Sequence, residues 1–501
     1  MSYKIYPVTK TDLKYEGYEV KINGQKVDLD TARVSKMPFN RRWPGHQRSI
    51  DQSELINFLN LESNEKLEFE ITPANEFDSV KVRPESLGIV PEVKDGKIKF
   101  TVDGNGYFTV EPYGRENALH IFIDPVKEYD LDKDAENVIY FGKGEHDAGL
   151  IELKSNQTLF IDEGAVVYAS VRAIDSENIK IIGRGILDNS KNKETILYEA
   201  NAENNDEAIN NAKREHTIQL EYTNNIYIEG ITIRDSLVYN IRPMACENLH
   251  IENVKIIGCW RYNSDGIDMH NCIDVKINNC FIRTYDDSIC VKGFDCYYDG
   301  DVEKAVHDAM YRNGKAYDVF KNVRVKNVVI WNDWGRCLEI GAETRAEEIF
   351  DVVFEDSDVI HVMHDVLDCQ NVDYAHVHDI TYKNIRVEYD DIIPEPILQR
   401  SDAHQYVIED KDYAPEIACV GVSYHHEYSS VGRRGKCSNI LFEDIYLSGR
   451  QRPKFGFFGY SEENNTSFIT VKNFFWNGKP LKEGDFDLRI GEFADNINIK
   501  L

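Results

Sequence analysis

Positive charge is scarce in this 501-residue sequence. It contains 58 Lys and Arg residues against 87 Asp and Glu residues, which gives a formal net charge of −29 at pH 7. Nucleic-acid binding is therefore not expected, because a phosphate backbone is recognised by a basic surface. Polyanionic sugars are disfavoured less strongly, since a local basic cleft can exist on an acidic protein.

Long apolar runs are also missing. No segment approaches the roughly 18 consecutive apolar residues that a membrane span needs. The N-terminal segment MSYKIYPVTKTDLKYEGYEV has no apolar core of the kind found in signal peptides. We therefore expect no membrane contact and favour a cytoplasmic location. A homo-oligomer is compatible with the sequence.

Cysteine is absent from the first 245 residues. The ten cysteines lie between Cys246 and Cys437, with no CxxC pair and no Cys/His spacing typical of zinc sites. Free cysteines are commonly buried, so we interpret them as reduced core residues. The sequence predicts neither a metal nor a cofactor.

Residues 1–130 are predicted to form a β-sandwich domain. Short alternating segments are separated by the turn dipeptides Asn23–Gly24, Asp95–Gly96 and Asn105–Gly106, a pattern typical of antiparallel strands. No group of residues in this region suggests chemistry. Its expected role is packing, shaping of a substrate site or dimerisation.

Residues 131–501 contain a recurring motif, apolar–x–apolar–polar–Asn/Asp/Gly–apolar–x–apolar. Its Asn, Asp or Gly occurs at positions 230, 253, 279, 327, 356, 384, 444 and 473, with gaps of 23, 26, 48, 29, 28, 60 and 29. A period in the twenties with short strands is typical of a β-solenoid, and Asn suits its tight bends. The gaps of 48 and 60 fit either two coils or one coil with a long loop.

Three aspartates in the solenoid are spaced by about one coil. Asp286 and Asp287 follow Asp265 by 21 and 22 residues. Equivalent residues of successive coils stack about 4.8 Å apart, so the three carboxylates are predicted to cluster. A regular strand points neighbouring residues to opposite faces, and Asp286 and Asp287 share a cleft only if a turn or bulge lies between them.

Such a cluster suits glycoside hydrolysis. Neighbouring carboxylates repel one another, so one holds a proton at a pH where another is ionised. The reaction needs an acid at the leaving oxygen and a base or nucleophile opposite it. Two other interpretations are turn residues without a catalytic role and a calcium site, since acidic clusters bind Ca²⁺.

The segments NSDGID (263–268), DDSICVKG (286–293) and GRCLEIG (335–341) resemble the catalytic signature of the polygalacturonases, glycoside hydrolase family 28. A front β-domain followed by SNQTLFIDEGAVVYASVRA (155–173) is similar to the dextranases and isopullulanases of family 49. The resemblance implies a right-handed parallel β-helix and an inverting mechanism. It implies that Asp286 is the general acid, that Asp265 and Asp287 activate water, and that Lys292 lies near the acid.

The sequence departs from family 28 at the substrate site. The family's Gly-His-Gly histidine aligns with Arg336, and its Arg-x-Lys pair, which grips a galacturonate carboxylate, has no counterpart. Asp365 and Asp368 occur where cations would be wanted. The residues of the uronate site are therefore largely replaced. Arg336 or Lys292 could still bind a carboxylate, so a uronate substrate stays an alternative.

Further substrate-binding residues are predicted around the cluster, each with an ordinary structural role as its alternative. They are Arg242, Tyr262, Asp268, Glu339 and His364. Glu339 and Glu343 are alternatively salt-bridge partners of Arg336. The histidines at 361, 364, 376 and 378 are interpreted as hydrogen-bonded or exposed side chains rather than metal ligands.

An insertion follows the Asp-Asp motif, with a helix predicted at about 297–320 that ends at Gly314. We expect it to stand beside the cleft and close one end, giving an exo-acting or oligosaccharide-directed hydrolase. The alternatives from other classes are a β-helix uronate lyase or epimerase, which would give an unsaturated or epimerised product, and a non-catalytic carbohydrate-binding solenoid, which would bind sugar without turnover.

Overall fold

A computed structural model describes residues 3–41, 43–44, 47–192, 215–294, 307–389, 397–398, 407–408, 413–425, 429 and 432–500. Regular structure in these residues is almost entirely β. The helical segments are two 3₁₀ turns, Ile50–Gln52 and Glu85–Leu87, and one turn at 307–310. None of the helices in the described ranges has the length and apolar character needed to span a bilayer.

The N-terminal part is a β-sandwich, as predicted. One sheet has the order β1-β5-β11-β10-β7, with β4 beside β5, and the other has the order β3-β2-β6-β9-β8. The strands are β1 (Tyr3–Ile5), β2 (Tyr18–Ile22), β3 (Gln25–Val27), β4 (Asp30–Ser35), β5 (Ser53–Ser63), β6 (Lys66–Pro73), β7 (Lys81–Arg83), β8 (Glu92–Lys94), β9 (Lys97–Asp103), β10 (Gly106–Glu111) and β11 (Leu119–Asp124).

Two of the predicted turns close hairpins within one sheet. Asn23 and Asp95 adopt positive φ angles of 49° and 52° between β2 and β3 and between β8 and β9, as such turns require. The turn at Asn105–Gly106 instead connects β9 of one sheet to β10 of the other. Apolar side chains from the facing strands fill the space between the sheets.

The remaining strands form a right-handed parallel β-helix with three faces, as predicted. The first β-helix strand begins at Val138, whereas the last strand of the sandwich ends at Asp124. Each strand pairs in parallel with its equivalent in the next coil, so inward-facing side chains of successive coils form a continuous apolar core.

Face one holds β12 (Val138–Phe141), β14 (Thr158–Ile161), β16 (Glu177–Gly183), β19 (Asn224–Glu229), β22 (Glu247–Glu252), β25 (Ile273–Asn278), β30 (Val319–Lys326), β33 (Glu348–Glu355), β36 (His376–Glu388), β40 (Lys436–Ser448), β42 (Thr466–Trp476) and β45 (Ala494–Lys500). The longest of these strands, β36, β40 and β42, continue into face two. The short strand β43 (Lys479–Pro480) pairs antiparallel with β42.

Face two holds β17 (Ile186–Asp188), β20 (Thr232–Arg234), β23 (Lys255–Ile256), β26 (Phe281–Thr284), β31 (Val329–Asn332) and β34 (Asp358–His361). Face three holds β18 (Ile218–Glu221), β21 (Ile241–Met244), β24 (Ile267–His270), β27 (Ile289–Lys292), β32 (Leu338–Ile340), β35 (Leu367–Asn371), β39 (Ala418–Val422), β41 (Lys454–Phe458) and β44 (Asp487–Ile490). Faces two and three share β13 (Gly144–Glu152) and β15 (Ala165–Ile174).

The repeat marker is the bend between faces one and two. All eight marker residues have φ angles between 50° and 82°, a conformation that Asn, Asp and Gly adopt most easily. The long gaps each correspond to one coil with a long loop, because β25 pairs directly with β30 and β36 pairs directly with β40. The two-coil alternative is therefore wrong.

The sandwich packs against face two of the β-helix. Side chains of its six-stranded sheet and of face two share one buried cluster, which includes Phe58, Phe122, Phe281 and Trp331. Ion pairs also cross this contact. The Lys255 Nζ lies 2.9 Å from Asp124 Oδ2. Both partners are buried, and Arg184 Nε also lies 3.8 Å from Asp124 Oδ2, so the two cations share this buried carboxylate.

Only part of the predicted helical insertion falls on described residues, since residues 295–306 lie outside them. The helical turn at 307–310 is followed by a hairpin of β28 (Tyr311–Arg312) and β29 (Lys315–Ala316). Gly314 lies in the hairpin turn with a φ of 77°, so it does not end a helix as predicted. Met310 packs beside Met244 and Phe294, next to the end of β21. A further hairpin contains β37 (Ile397–Leu398) and β38 (Val407–Ile408).

Candidate active site

The three predicted aspartates meet at the start of two adjacent strands of face three. Asp265 precedes β24, and Asp286 and Asp287 precede β27. The backbone N–H of Gly266 donates to the carbonyl of Asp287 over 2.8 Å, which places Asp265 one coil below Asp287. One carboxylate oxygen from each aspartate lies within 4.8 Å of the others. The prediction that these residues cluster is confirmed.

The turn required by this arrangement is present. Asp286 and Asp287 lie in the bend before β27, outside the alternation of the strand. The backbone N–H of Asn263 donates to Asp286 Oδ2 over 2.8 Å, and that of Arg336 donates to Asp287 Oδ1 over 2.9 Å. Each carboxylate is thus held by a backbone amide of a neighbouring coil, which fixes its orientation.

The environment separates the proton affinities of these carboxyls. Burial, and then the charge of Asp287, raise the pKa of Asp286 to about 7. Burial opposes ionisation of Asp287 as well, but Lys292 and Arg336 lower its pKa below the usual range. Burial, with Asp268 and Asp286 nearby, raises the pKa of Asp265 well above its usual value. Asp286 can therefore hold a proton up to about neutral pH, while the adjacent Asp287 is already ionised there.

Lys292 lies inside a group of four carboxylates. Its Nζ is 2.9 Å from an oxygen of Asp268, and it is 3.6, 3.7 and 3.9 Å from oxygens of Asp265, Asp287 and Glu343. Asp268 is fully buried in β24. Asp268 therefore lies near the three aspartates, as predicted, and its carboxylate points toward Lys292. Glu343 pairs with Lys292, not with Arg336 as the alternative interpretation had it.

Arg336 occupies the next coil and is also surrounded by carboxylates. Its Nε lies 2.8 Å from Asp368, 3.7 Å from Glu339 and 3.9 Å from Asp365. The predicted salt bridge between Glu339 and Arg336 is therefore present. Burial, followed by the charge of Asp365, raises the pKa of Asp368 to about 8.

Two further predicted substrate-binding residues lie at the edges of this group. Arg242, in β21, is one coil before Asp268 and pairs with Glu221 at 3.0 Å. The Nδ1 of His364 lies 3.2 Å from Asp365 Oδ2, and its side chain is 30% exposed. Both flank the carboxylates, and His364 retains a surface that a substrate can reach.

Tyr262 is placed differently from expectation. Its side chain is 2% exposed and packs against the rings of Tyr285 and Trp334, at centroid distances of 5.3 and 4.9 Å. Its hydroxyl accepts a hydrogen bond from the Asn40 amide. No ring face is left for a sugar, so the predicted sugar contact is corrected to a packing role beneath the turns that carry the aspartates.

One element near the site was not found from the sequence. Residues 36–41, 43–44 and 47–48 of the sandwich domain, which we call the arm, extend between β4 and β5 toward the turn at Tyr285. Phe39 packs edge-on against this tyrosine at 5.9 Å, and Arg48 lies over its ring. Arg41 lies over the ring of Tyr413 at 5.2 Å. The only sequence signal is the cationic and aromatic segment FNRRWPGHQR in an otherwise acidic chain.

Comparison with known proteins identifies a family. The model of glycosyl hydrolases family 28 matches residues 146–402, which include all three aspartates. A polygalacturonase from Gossypium barbadense is 33% identical over 144 residues, which cover 28% of this chain and 33% of that polygalacturonase. A dextranase from Arthrobacter sp. is 23% identical over 364 residues, which cover 64% of this chain and 53% of the dextranase. The chain thus matches about a third to a half of the length of these relatives.

The fold has a counterpart among solved structures. Dex49A from Penicillium minioluteum superimposes with a TM-score of 0.53 and 13% sequence identity, and the match covers 96% of both chains. Such low identity supports the shared fold alone. It extends the similarity to the sandwich domain as well as to the β-helix.

Proposed function

Because the chain belongs to glycoside hydrolase family 28, we propose that it hydrolyses a glycosidic bond at the cluster of Asp265, Asp286 and Asp287. The observation that supports this site is the pairing of a carboxyl with a raised pKa, Asp286, and a carboxyl with a lowered pKa, Asp287, in adjacent positions. Pairs of titratable groups driven apart in this way are typical of acid and base assignments.

In the proposed reaction Asp286 is the general acid. Its proton passes to the glycosidic oxygen as the bond from that oxygen to the anomeric carbon breaks, and the alcohol leaves. Asp287 is the base that takes a proton from water as the water oxygen attacks the anomeric carbon. The products are a free sugar hemiacetal and the released alcohol. The site is reset when Asp287 gives up the proton it took from water and Asp286 takes up a proton, so there is no net change in protons.

Asp265 was expected to share the base role with Asp287. The raised pKa of Asp265 favours its protonated form in the resting site, so we assign the base role to Asp287. Asp265 then serves as a hydrogen-bonding group beside the attacking water. Lys292 keeps Asp287 ionised, since it is one of the cations that lower the pKa of this carboxyl.

We propose single displacement with inversion, in keeping with the family resemblance. The alternative is a retaining mechanism, in which the two carboxyls lie about 5–5.5 Å apart, whereas those of inverting enzymes lie about 6.5–9.5 Å apart. Here one oxygen from each aspartate lies within 4.8 Å of the others. In the alternative, Asp287 attacks the anomeric carbon and forms a covalent intermediate. The anomeric configuration of the first product, observed by ¹H NMR, distinguishes the two mechanisms.

We further propose that the sugar at the cleaved bond is neutral. The relatives carry the names polygalacturonase and dextranase, so both acidic and neutral substrates have precedent. Lys292 and Arg336, the cations next to the aspartates, each lie within 4.0 Å of carboxylates from at least three residues. A uronate carboxylate would have to displace these groups before either cation could bind it.

Exo action or a preference for oligosaccharides remains part of the proposal. It is supported by the described end of the insertion, where Met310 packs beside Met244 next to the end of β21. An element there can limit how far a chain extends beyond the cleaved bond. Random mid-chain cleavage of a long polymer would contradict this part. The cytoplasmic location and the homo-oligomer stay predictions.

The proposal is tested with the purified chain on matched neutral and uronic oligosaccharides with labelled reducing ends. We expect hydrolysis of a neutral member and loss of that activity in Asp286→Asn. Wild-type turnover by Asp286→Asn would refute the site. An unsaturated product absorbing in the ultraviolet would instead support the lyase alternative.

A further inference from the structure

A group of histidines lies on face one, in a different part of the β-helix from the carboxylate cluster. His376 and His378 are alternate residues of β36, so their side chains project from the same side of the strand. Glu348, in β33, is aligned with His376 one coil below. One ligand-type atom from each of the three residues lies within 4.8 Å of the others.

The ring of His378 is oriented as in many metal sites. Its Nδ1 lies 2.7 Å from Asp379 Oδ2, and its Nε2 lies 3.4 Å from Glu348 Oε1. A metal-ligating histidine usually donates its other ring N–H to a carboxylate, which fixes its tautomer. Two ligands bound tetrahedrally at about 2.1 Å are separated by roughly 3.4 Å. The spacing between His378 and Glu348 thus suits a shared ion.

Packing restricts this ring further. Phe350 lies one coil below His378, and the two rings stack with a centroid distance of 5.0 Å and an interplanar angle of 3°. The stacking holds the ring plane, while the carboxylate of Asp379 holds its rotation. A ligand nitrogen positioned in this way loses little conformational freedom when an ion binds.

His376 supplies the third ligand. Its Nε2 lies 2.9 Å from the Ser438 hydroxyl, and its ring centroid is 4.2 Å from that of His378. A small rotation of this half-buried ring would bring a His376 ring nitrogen within bonding distance of an ion held between His378 and Glu348.

We propose that His376, His378 and Glu348 form a surface site for a divalent transition-metal ion such as Zn²⁺, with Asp379 as the carboxylate that orients His378. Two imidazoles and one carboxylate suit zinc, whereas calcium and magnesium select sites built from oxygen alone. A bound ion would link β33 to β36, and so join two successive coils at the surface. The site is independent of the proposed hydrolytic function.

The test is calorimetric titration of the full chain with ZnCl₂ at pH 7, after treatment with EDTA and desalting. We expect one equivalent of Zn²⁺ to bind, with an affinity lowered at least tenfold in His378→Ala and in His376→Gln. Asp379→Asn should weaken binding about tenfold, as expected for a residue that orients a ligand. The matched control is His250→Ala, which removes another face-one histidine beside one carboxylate, Glu252.

Asp286→Asn distinguishes this site from the carboxylate cluster. Retention of the zinc equivalent in this variant, together with its loss in the histidine variants, supports the proposal. Loss of binding in Asp286→Asn with unchanged binding in His378→Ala and His376→Gln would overturn it, as would the absence of any zinc binding by the wild-type chain. Circular dichroism melting confirms that the variants are folded.

Discussion

The guanidinium carbon of Arg48 lies 4.2 Å from the ring centre of Tyr285, the residue immediately before Asp286. Arg48 also donates hydrogen bonds to the carbonyls of Lys36 and Gln52, over 2.6 and 2.8 Å. A cation of the sandwich domain is thus fixed against the turn that carries the proposed acid. We infer that one role of the sandwich domain is to hold this turn in place.

Replacement of Arg48 by alanine should impair turnover more than substrate binding. The contact with Tyr285 is of a kind worth about 0.5–2 kcal/mol, and small displacements of catalytic groups are costly, with 1 Å worth up to about 100-fold in rate. We expect kcat to fall about tenfold with little change in KM. Steady-state kinetics on the substrate identified in the oligosaccharide screen provides the measurement.

A second arm variant separates positioning from general loss of packing. Arg41→Ala removes a cation that lies over Tyr413 and has no contact with the turn at Tyr285 among the described residues. We expect a smaller effect on kcat from this variant. Equal losses in both variants, or an unchanged kcat in a folded Arg48→Ala, would rule out a specific role for the contact between Arg48 and Tyr285.

Asp286→Asn should nearly abolish hydrolysis. An amide cannot transfer a proton to the leaving oxygen, and general acid–base catalysis contributes about 10²–10⁴-fold to rates. We expect kcat to fall about 1000-fold, while sugar binding is retained. The control is Asp134→Asn, at an exposed loop position, which should match wild type. A loss of less than about tenfold in Asp286→Asn would reassign the acid.

The pH dependence of activity should follow the two shifted carboxyls. Activity requires protonated Asp286, so it should decline as the pH rises through about 7. Activity also requires ionised Asp287, whose lowered pKa places the acidic limb below the usual range of an aspartate. Lys292 lowers the pKa values of both Asp286 and Asp287. Lys292→Met should therefore shift both limbs of the kcat/KM profile to higher pH. Unmoved limbs in this variant would show that Lys292 does not control them.

Much of the fold could be predicted because each coil of the β-helix has a characteristic residue type at the same bend. Bends that require a left-handed backbone select Asn, Asp or Gly, and all eight marker positions have positive φ. The number of coils could not be predicted, since a loop adds residues without adding a strand pair. The gap from 279 to 327 therefore fits one coil or two from the sequence, and the direct pairing of β25 with β30 shows that it is one coil.

The candidate site was predictable where it depends on the coil period and unpredictable where it depends on contacts between distant segments. The spacing of Asp265 and Asp287 is set by the period. The side chain of Tyr262 is buried by Tyr285 and Trp334, which belong to other coils. No local sequence pattern distinguishes such a buried tyrosine from one that binds sugar. Arg48 approaches the site from a separate domain, which leaves no periodic signal.

Asp265→Asn should stabilise the protein at alkaline pH. Burial raises the pKa of Asp265 in the folded state, so between its unfolded and folded pKa values the folded chain binds more protons than the unfolded chain. Stability therefore falls as the pH rises through this range. An uncharged asparagine removes this contribution. We expect a higher Tm than wild type at pH 8 and little difference near pH 4, measured by thermal melts across the range.

Asp134→Asn is again the control, and its Tm should follow that of wild type at every pH. A gain in Tm for Asp265→Asn that is equal at pH 4 and pH 8 would show that packing, rather than the buried carboxyl, is responsible. A pH-dependent gain, accompanied by lost activity, would mean that the cluster costs stability in order to keep its carboxyls close together. Such a loss of stability in favour of activity is expected where like-charged groups are buried side by side for catalysis.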